Sequence, residues 1–225
     1  MGGMSGESGR HQRLGLAFSE LGQHGEAEKE LREAVRVAPD SAEAHLGLGI
    51  ALACQGRFAE AEGVFREALR LDPNCAAAHY NLGNALRDQG RVPEAEADFR
   101  EALRLVPDNA DGHNNLGIVL KKQGRFPEAV REFREALRLN PDLAAAHYNL
   151  GNAFMMQRSL GEAEGAYREA VRLNPDYAEA LANLGFALDQ QGRRKEARPF
   201  WERAQKLETR PERLGYIKKR LAEPD

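Results

Sequence analysis

"AAAHYNLGNA" stands at residues 76–85 and again, unchanged, at 144–153. The copies lie 68 residues apart, which is twice 34. Midway between them "ADGHNNLGIV" begins at Ala110, and looser versions begin at Ala42 ("AEAHLGLGIA"), Ala178 ("AEALANLGFA") and Ser8 ("SGRHQRLGLA"). Six frames of 34 residues therefore run from 8 to 211 without insertion or deletion. A fixed period of this size marks stacked helical or strand units, each unable to bury its own apolar face alone.

Within the frame, position 4 is His in five copies and Leu in one, position 7 is Leu, position 8 is Gly, and position 11 is Leu or Phe. These offsets fall on one face of a helix. Gly follows at position 15 in five frames (Gly22, Gly56, Gly90, Gly124, Gly192), the residue type that closes helices. A second helical stripe uses positions 20, 24, 27 and 28, as in Ala95, Phe99, Ala102 and Leu103. Pro at position 32 (Pro39, Pro73, Pro107, Pro141, Pro175) stops that helix before the next frame begins. Pro93 and Pro127 sit near its start, where a missing N–H costs little. Small residues at positions 8, 20 and 27 face large ones at position 24: Leu31, Phe65, Phe99, Phe133, Tyr167 and Trp201. Small against large lets two antiparallel helices approach and interlock.

This pattern, on this period and over about nine-tenths of the chain, resembles the tetratricopeptide repeat family. The resemblance implies an all-α, right-handed α-solenoid of six tandem helix-turn-helix repeats (8–41, 42–75, 76–109, 110–143, 144–177, 178–211), with a capping helix over 212–225. Residues 1–7 are expected to form a disordered tail. Frame 5 departs at Arg158, where the others carry Gly, and Ser159 with Glu162 reads as a capping box. Frame 6 carries Pro199 inside its second helix, predicting a late start or a kink. In the tail, Thr209, Arg210, Pro211 and Glu212 read as another helix start. Leu214, Ile217 and Leu221 form its apolar stripe, and Lys218, Lys219 and Arg220 lie on other faces.

Composition narrows the function. The 32 basic and 35 acidic residues leave a net charge of −3, which argues against a dedicated nucleic-acid binder. No apolar run reaches the ~18–20 residues of a membrane span. The two cysteines, Cys54 and Cys75, fall at opposite ends of their helices, too far apart for a disulfide. Free thiols fit a reducing compartment, so the cytoplasm is the expected location. No nucleotide-binding, protease or esterase motif is present, so no enzyme and no cofactor are expected. The recurring acid–arginine spacing of the second helix, as in Glu62 with Arg66 and Glu96 with Arg100, reads as a solvated outer face. His11, His45, His79, His113 and His147 all occupy position 4, but their helix neighbours supply no further ligand. They read as structural histidines, with no metal site.

What remains is a surface. In the family, the first helix of each repeat lines a concave groove through positions 2, 5, 6, 9, 12 and 13. Carried over, position 6 is Asn81, Asn115, Asn149 and Asn183; position 9 adds Asn84 and Asn152, and position 5 adds Asn114. Among them lie Leu46, Ile50, Tyr80, Ile118, Tyr148, Met155, Met156 and Phe186, with Lys121 and Lys122 favouring an acidic residue locally. An asparagine amide offers a donor and an acceptor, so a regular row can hold a peptide main chain. Such a groove resembles the repeat superhelix attached to O-linked N-acetylglucosamine transferases, where an asparagine ladder binds peptide. The carboxylate clamp of chaperone-binding relatives is not reproduced: Ala145 and Asn149 stand where basic residues are needed, and Tyr80 where Lys is needed. The expected partner is an extended protein segment, bound by a monomer. The alternatives are a self-assembling scaffold and the repeat portion of a larger enzyme such as a glycosyltransferase.

Overall fold

The computed structural model describes residues 2–222. Among them are thirteen helices and no strand. In chain order they are α1 (Gly2–Glu20), α2 (His24–Val37), α3 (Ala42–Cys54), α4 (Phe58–Leu71), α5 (Ala76–Asp88), α6 (Val92–Leu105), α7 (Ala110–Lys122), α8 (Phe126–Leu139), α9 (Ala144–Met156), α10 (Leu160–Leu173), α11 (Ala178–Gln190), α12 (Arg194–Leu207) and α13 (Pro211–Ala222). From α3 to α11 each odd-numbered helix opens on the first residue of a 34-residue frame. The fold is the all-α repeat architecture that the periodicity implies.

The chain divides into two compact units, Met1–Asp108 with α1 to α6 and Asn109–Asp225 with α7 to α13. In both, the helices of one frame pack as a pair, and within a unit the second helix packs on the first helix of the next frame: α2 on α3 and α4 on α5, α8 on α9 and α10 on α11. The contact that sets the pair is the one legible in the sequence. A Cβ placed on Gly117 would lie 2.6 Å from the Phe133 ring, and one on Gly83 would lie 2.9 Å from that of Phe99. Only a missing side chain lets the ring lie flat on the helix backbone. Phe65, Phe99, Phe133 and Trp201 are 0% exposed, and burying each contributes about 1.5–3 kcal/mol.

Three expectations about the helices need correction. Residues 2–7 continue helix α1, where a disordered tail was expected. Ser159 caps no backbone N–H, so the capping box of frame 5 is not formed. Instead Arg158 adopts the left-handed conformation (φ 59°) that Gly56 and Gly124 supply elsewhere (φ 75° and 76°). Helix α12 starts at the same frame position as its counterparts, despite Pro199. That proline is the sixth residue of the helix, beyond the four N-terminal N–H groups that lack intrahelical partners, so it removes one helix bond without delaying the start.

The largest correction concerns charge. Glu28 and Glu96 are buried, and the side chains of Glu62 and Glu164 are only 14% and 12% exposed. Glu62 accepts from Arg91 Nη1 at 2.6 Å and Gln89 Nε2 at 3.1 Å, both in the next frame. Glu28 meets Arg57 and Gln55 in the same way, and Glu164 meets Arg193 and Gln191. The expected pairs Glu62–Arg66 and Glu96–Arg100 do form, with arginines 55% and 51% exposed, but Glu28, Glu62 and Glu164 also serve as inter-repeat staples. Burial works to raise the Glu62 carboxyl, but hydrogen bonds from Arg91 and Gln89 and the charges of Arg91 and Arg66 outweigh it, holding its pKa below the ordinary 4.5. Frame 4 puts Val130 in place of the glutamate, and frame 5 puts Ser159 in place of the arginine. Both halves of the staple are thus replaced together.

The second unit ends on α13. Its Ile217 is fully buried, while Leu214 and Leu221 are half-buried. Arg220, off the apolar stripe, pairs with Asp189 of α11, whose side chain is 7% exposed. The guanidinium groups of Arg194 and Arg220 flank the Trp201 ring at 5.8 and 5.7 Å from its centroid. Residues 223–225 of the predicted cap lie outside the described residues.

Candidate functional site

The position-4 histidines have positive structural roles. His11, His79 and His113 hydrogen-bond through Nδ1 to the acid at position 23 of their own frame: Glu30 at 2.6 Å, Asp98 at 2.8 Å and Glu132 at 2.7 Å. His45, His79 and His147 hydrogen-bond through Nε2 to the carbonyl of the preceding position-32 proline, Pro39, Pro73 and Pro141 respectively. In frames 1, 3 and 4 the ring ties the two helices of the frame together, and in frames 2, 3 and 5 it ties the preceding linker to the first helix. Among the described residues no group of three His, Cys, Asp or Glu stands where it could hold a metal. Cys54 is exposed and Cys75 half-buried, and neither forms a disulfide.

The asparagines do not form one open row. In the first unit, Tyr80 meets Phe99 edge to face at 6.0 Å, and Asn81 returns its amide to the Ala77 carbonyl of its own helix at 2.8 Å. Asn84 is half-buried on the same helix. In the second unit, Asn114, Asn115 and Asn149 are only 8–9% exposed. Asn149 Nδ2 donates to Asn114 Oδ1 at 3.1 Å, linking α9 to α7. Asn115 and Asn149, carried over as groove residues, are thus largely buried and not open to solvent. Helix α9 packs on α7, and that approach buries their amides.

A different part of the second unit stays open. A cleft of about 520 Å³ is lined by Lys121, Lys122, Gly124, Phe126, Asn152, Met155, Met156, Tyr167, Asn183 and Phe186. Seven of the sequence-predicted residues meet here: Lys121, Lys122, Asn152, Met155, Met156, Asn183 and Phe186. Asn152 Oδ1 accepts from Tyr167 OH and from Asn183 Nδ2, each at 2.8 Å. The Asn152 amide nitrogen and the Asn183 carbonyl oxygen are left with no partner among the described residues. The pair thus presents one donor and one acceptor side by side.

Aromatic packing holds the cleft's base. Tyr148 lies 6.1 Å from Tyr167 and 5.0 Å from Tyr177. Burial first, then Tyr148, raises the Tyr167 hydroxyl above its ordinary 10 and pushes that of Tyr177 up to about 12. Both therefore stay neutral donors at physiological pH. Ile118 is half-buried on α7 and does not line the cleft. The position-24 residue Tyr167 was read only as packing; its hydroxyl reaches the cleft because Tyr differs from Phe by one polar atom.

Helix α13 adds residues that the groove positions could not identify. A second hollow, of about 410 Å³, is lined by Ala182, Asn183, Phe186, Glu212, Arg213, Tyr216 and Ile217. The Tyr216 ring meets Phe186 edge to face at 6.2 Å. The tail thus helps to shape the face beside α11 as well as covering the last helix pair.

A tetratricopeptide repeat model matches residues 13–74, 55–110, 114–178 and 157–211. No curated protein matches. Among solved structures, PilF of Pseudomonas aeruginosa is similar at 23% identity, with a TM-score of 0.85 over 96% of this chain and 99% of that one. PilW, a type IV pilus biogenesis factor, is 22% identical with a TM-score of 0.84 over 94% and 98%. YrrB, a repeat protein with an unusual peptide-binding site, is 24% identical with a TM-score of 0.68 over 84% and 97%. At these identities the likeness to solved structures is one of fold.

Proposed function

Because the chain belongs to the tetratricopeptide repeat family, we propose that it is a non-enzymatic interaction module whose second unit holds an extended segment of a partner protein. One observation carries this reading. The open cleft joins apolar walls (Phe126, Met155, Phe186) to a vacant amide donor on Asn152 and a vacant amide acceptor on Asn183. A peptide main chain offers the matching C=O and N–H. The apolar walls take side chains without demanding one sequence. YrrB is described as binding peptide, and its fold likeness fits the same use here. The asparagine ladder thus contracts to Asn152 and Asn183, with Asn149 and Asn114 beneath as support.

The test is selection of 12-residue peptides on the purified chain, followed by N-methylation of each backbone nitrogen of a selected peptide. Methylation at one position should weaken binding by at least roughly 2- to 10-fold, because it removes the N–H that Asn183 accepts. Asn183→Ala should weaken the parent peptide by roughly 2- to 10-fold, the value of one neutral hydrogen bond. Uniform tolerance of N-methylation would refute main-chain recognition.

Self-assembly is the second reading, favoured by one observation. Met156 is 62% exposed at the cleft rim, and methionine forms adaptable contacts. Light scattering at rising concentration decides: a constant monomer mass removes it.

A further inference from the structure

Recurrent basic residues of this chain meet acids. Arg57 pairs with Glu28 and Glu60, Arg91 with Glu62 and Glu94, and Arg193 with Glu164 and Glu196. Lys121 and Lys122 depart from this habit. Among the described residues no carboxylate lies within ion-pair distance of either. The Lys121 ammonium instead rests 3.4 Å from the Asn149 amide oxygen, a weak contact. Asn149 is itself held by Asn114, so the ammonium sits against a fixed support. None of the residues lining the cleft is acidic. A half-buried cation beside apolar walls has lost water without gaining a counter-charge. Burial, and then Lys122, accordingly lower the Lys121 pKa from 10.5.

Resting on the reading of this face as a peptide site, we propose that the cleft is a two-part side-chain subsite. Lys121 holds an internal Asp or Glu of the bound segment, and Phe126, Met155 and Phe186 take an apolar side chain two residues away. The spacing follows from extended backbone, where residues i and i+2 share a face. The carboxylate belongs to a side chain and not to a chain end, because the vacant amides of Asn152 and Asn183 on the same cleft hold main chain that continues past it.

The experiment selects from a random 12-residue peptide library on the full chain, once with amidated and once with free C-termini. Asp or Glu should be enriched two residues from Leu, Ile, Met or Phe in both arms. Lys121→Gln should bind a selected peptide roughly 10- to 100-fold more weakly, the range for a charge-assisted hydrogen bond. The same variant should bind the peptide's Gln or Asn analogue as the natural chain does. Lys121→Glu should select Lys or Arg at the acidic register, a gain that no folding defect imitates. Selected peptides without acid preference, an acid preference that survives Lys121→Gln, or one confined to free C-termini would overturn the subsite while peptide binding stands. Failure to select any peptide would overturn the peptide site and the subsite together.

Discussion

Asn149→Ala should destabilise the protein, although position 149 was carried over as a groove residue. The side chain is 9% exposed, and its amide nitrogen donates to Asn114 Oδ1, itself on a residue 8% exposed. Truncation leaves that acceptor buried and unsatisfied, which costs about 1–3 kcal/mol. The 3.4 Å contact with Lys121 is too long to add much. For a chain of this length each kcal/mol moves the melting temperature by about 2–4 °C, so a loss of roughly 4–8 °C is expected for a central cost of about 2 kcal/mol. Asn81→Ala is the control. Its amide bonds only to its own helix, and alanine is the better helix former by up to about 0.7 kcal/mol, so its melting should be unchanged or slightly raised. Asn114→Ala combined with Asn149→Ala removes both partners and should cost about 1 kcal/mol less than the two single losses together. Circular-dichroism melts, with urea titrations to check that the slope is unchanged, measure the natural chain and the four variants. Equal melting of the Asn149 and Asn81 variants, or strict additivity of the pair, would refute the buried link.

Arg158→Gly should stabilise by about 1 kcal/mol, raising the melting temperature by roughly 2–4 °C, because it relieves a left-handed non-glycine residue (φ 59°); no change would show that the turn is unstrained. Glu62→Val or Arg91→Ser alone should each cost about 1–2 kcal/mol by breaking a staple, whereas the double variant, which copies Val130 and Ser159, should cost less than either; urea denaturation reads the coupling. Hydrogen bonds and charge from Arg210 hold the Glu208 carboxyl at about 2, below its ordinary 4.5. The unfolded chain takes up that proton first, so this contribution is full above pH 4.5, drains as pH falls and is gone below about 2. Glu208→Gln should therefore lose less melting temperature than the natural chain between pH 5 and pH 3, and parallel curves would contradict the assignment.

The sequence by itself determined the local geometry. The 34-residue period, Gly at position 8 facing a large residue at position 24, and the proline stops depend on neighbours within one frame, so a linear reading sees both partners. The structure keeps them in the contact of Gly117 with Phe133 and of Gly83 with Phe99. Only the tertiary structure decided which polar residues face solvent. Glu62 finds Arg91 and Gln89 across a frame boundary, 29 and 27 residues away, where helix spacing points only to Arg66. Asn149 meets Asn114 at 35 residues' separation. Asn152 and Asn183 stay half-open because Phe126, Met155 and Phe186 border a cleft around them. Chemically identical amides therefore take opposite roles. Residue type states what each can bond to; the approach of the next helix decides whether the partner is protein or is left for a ligand to supply.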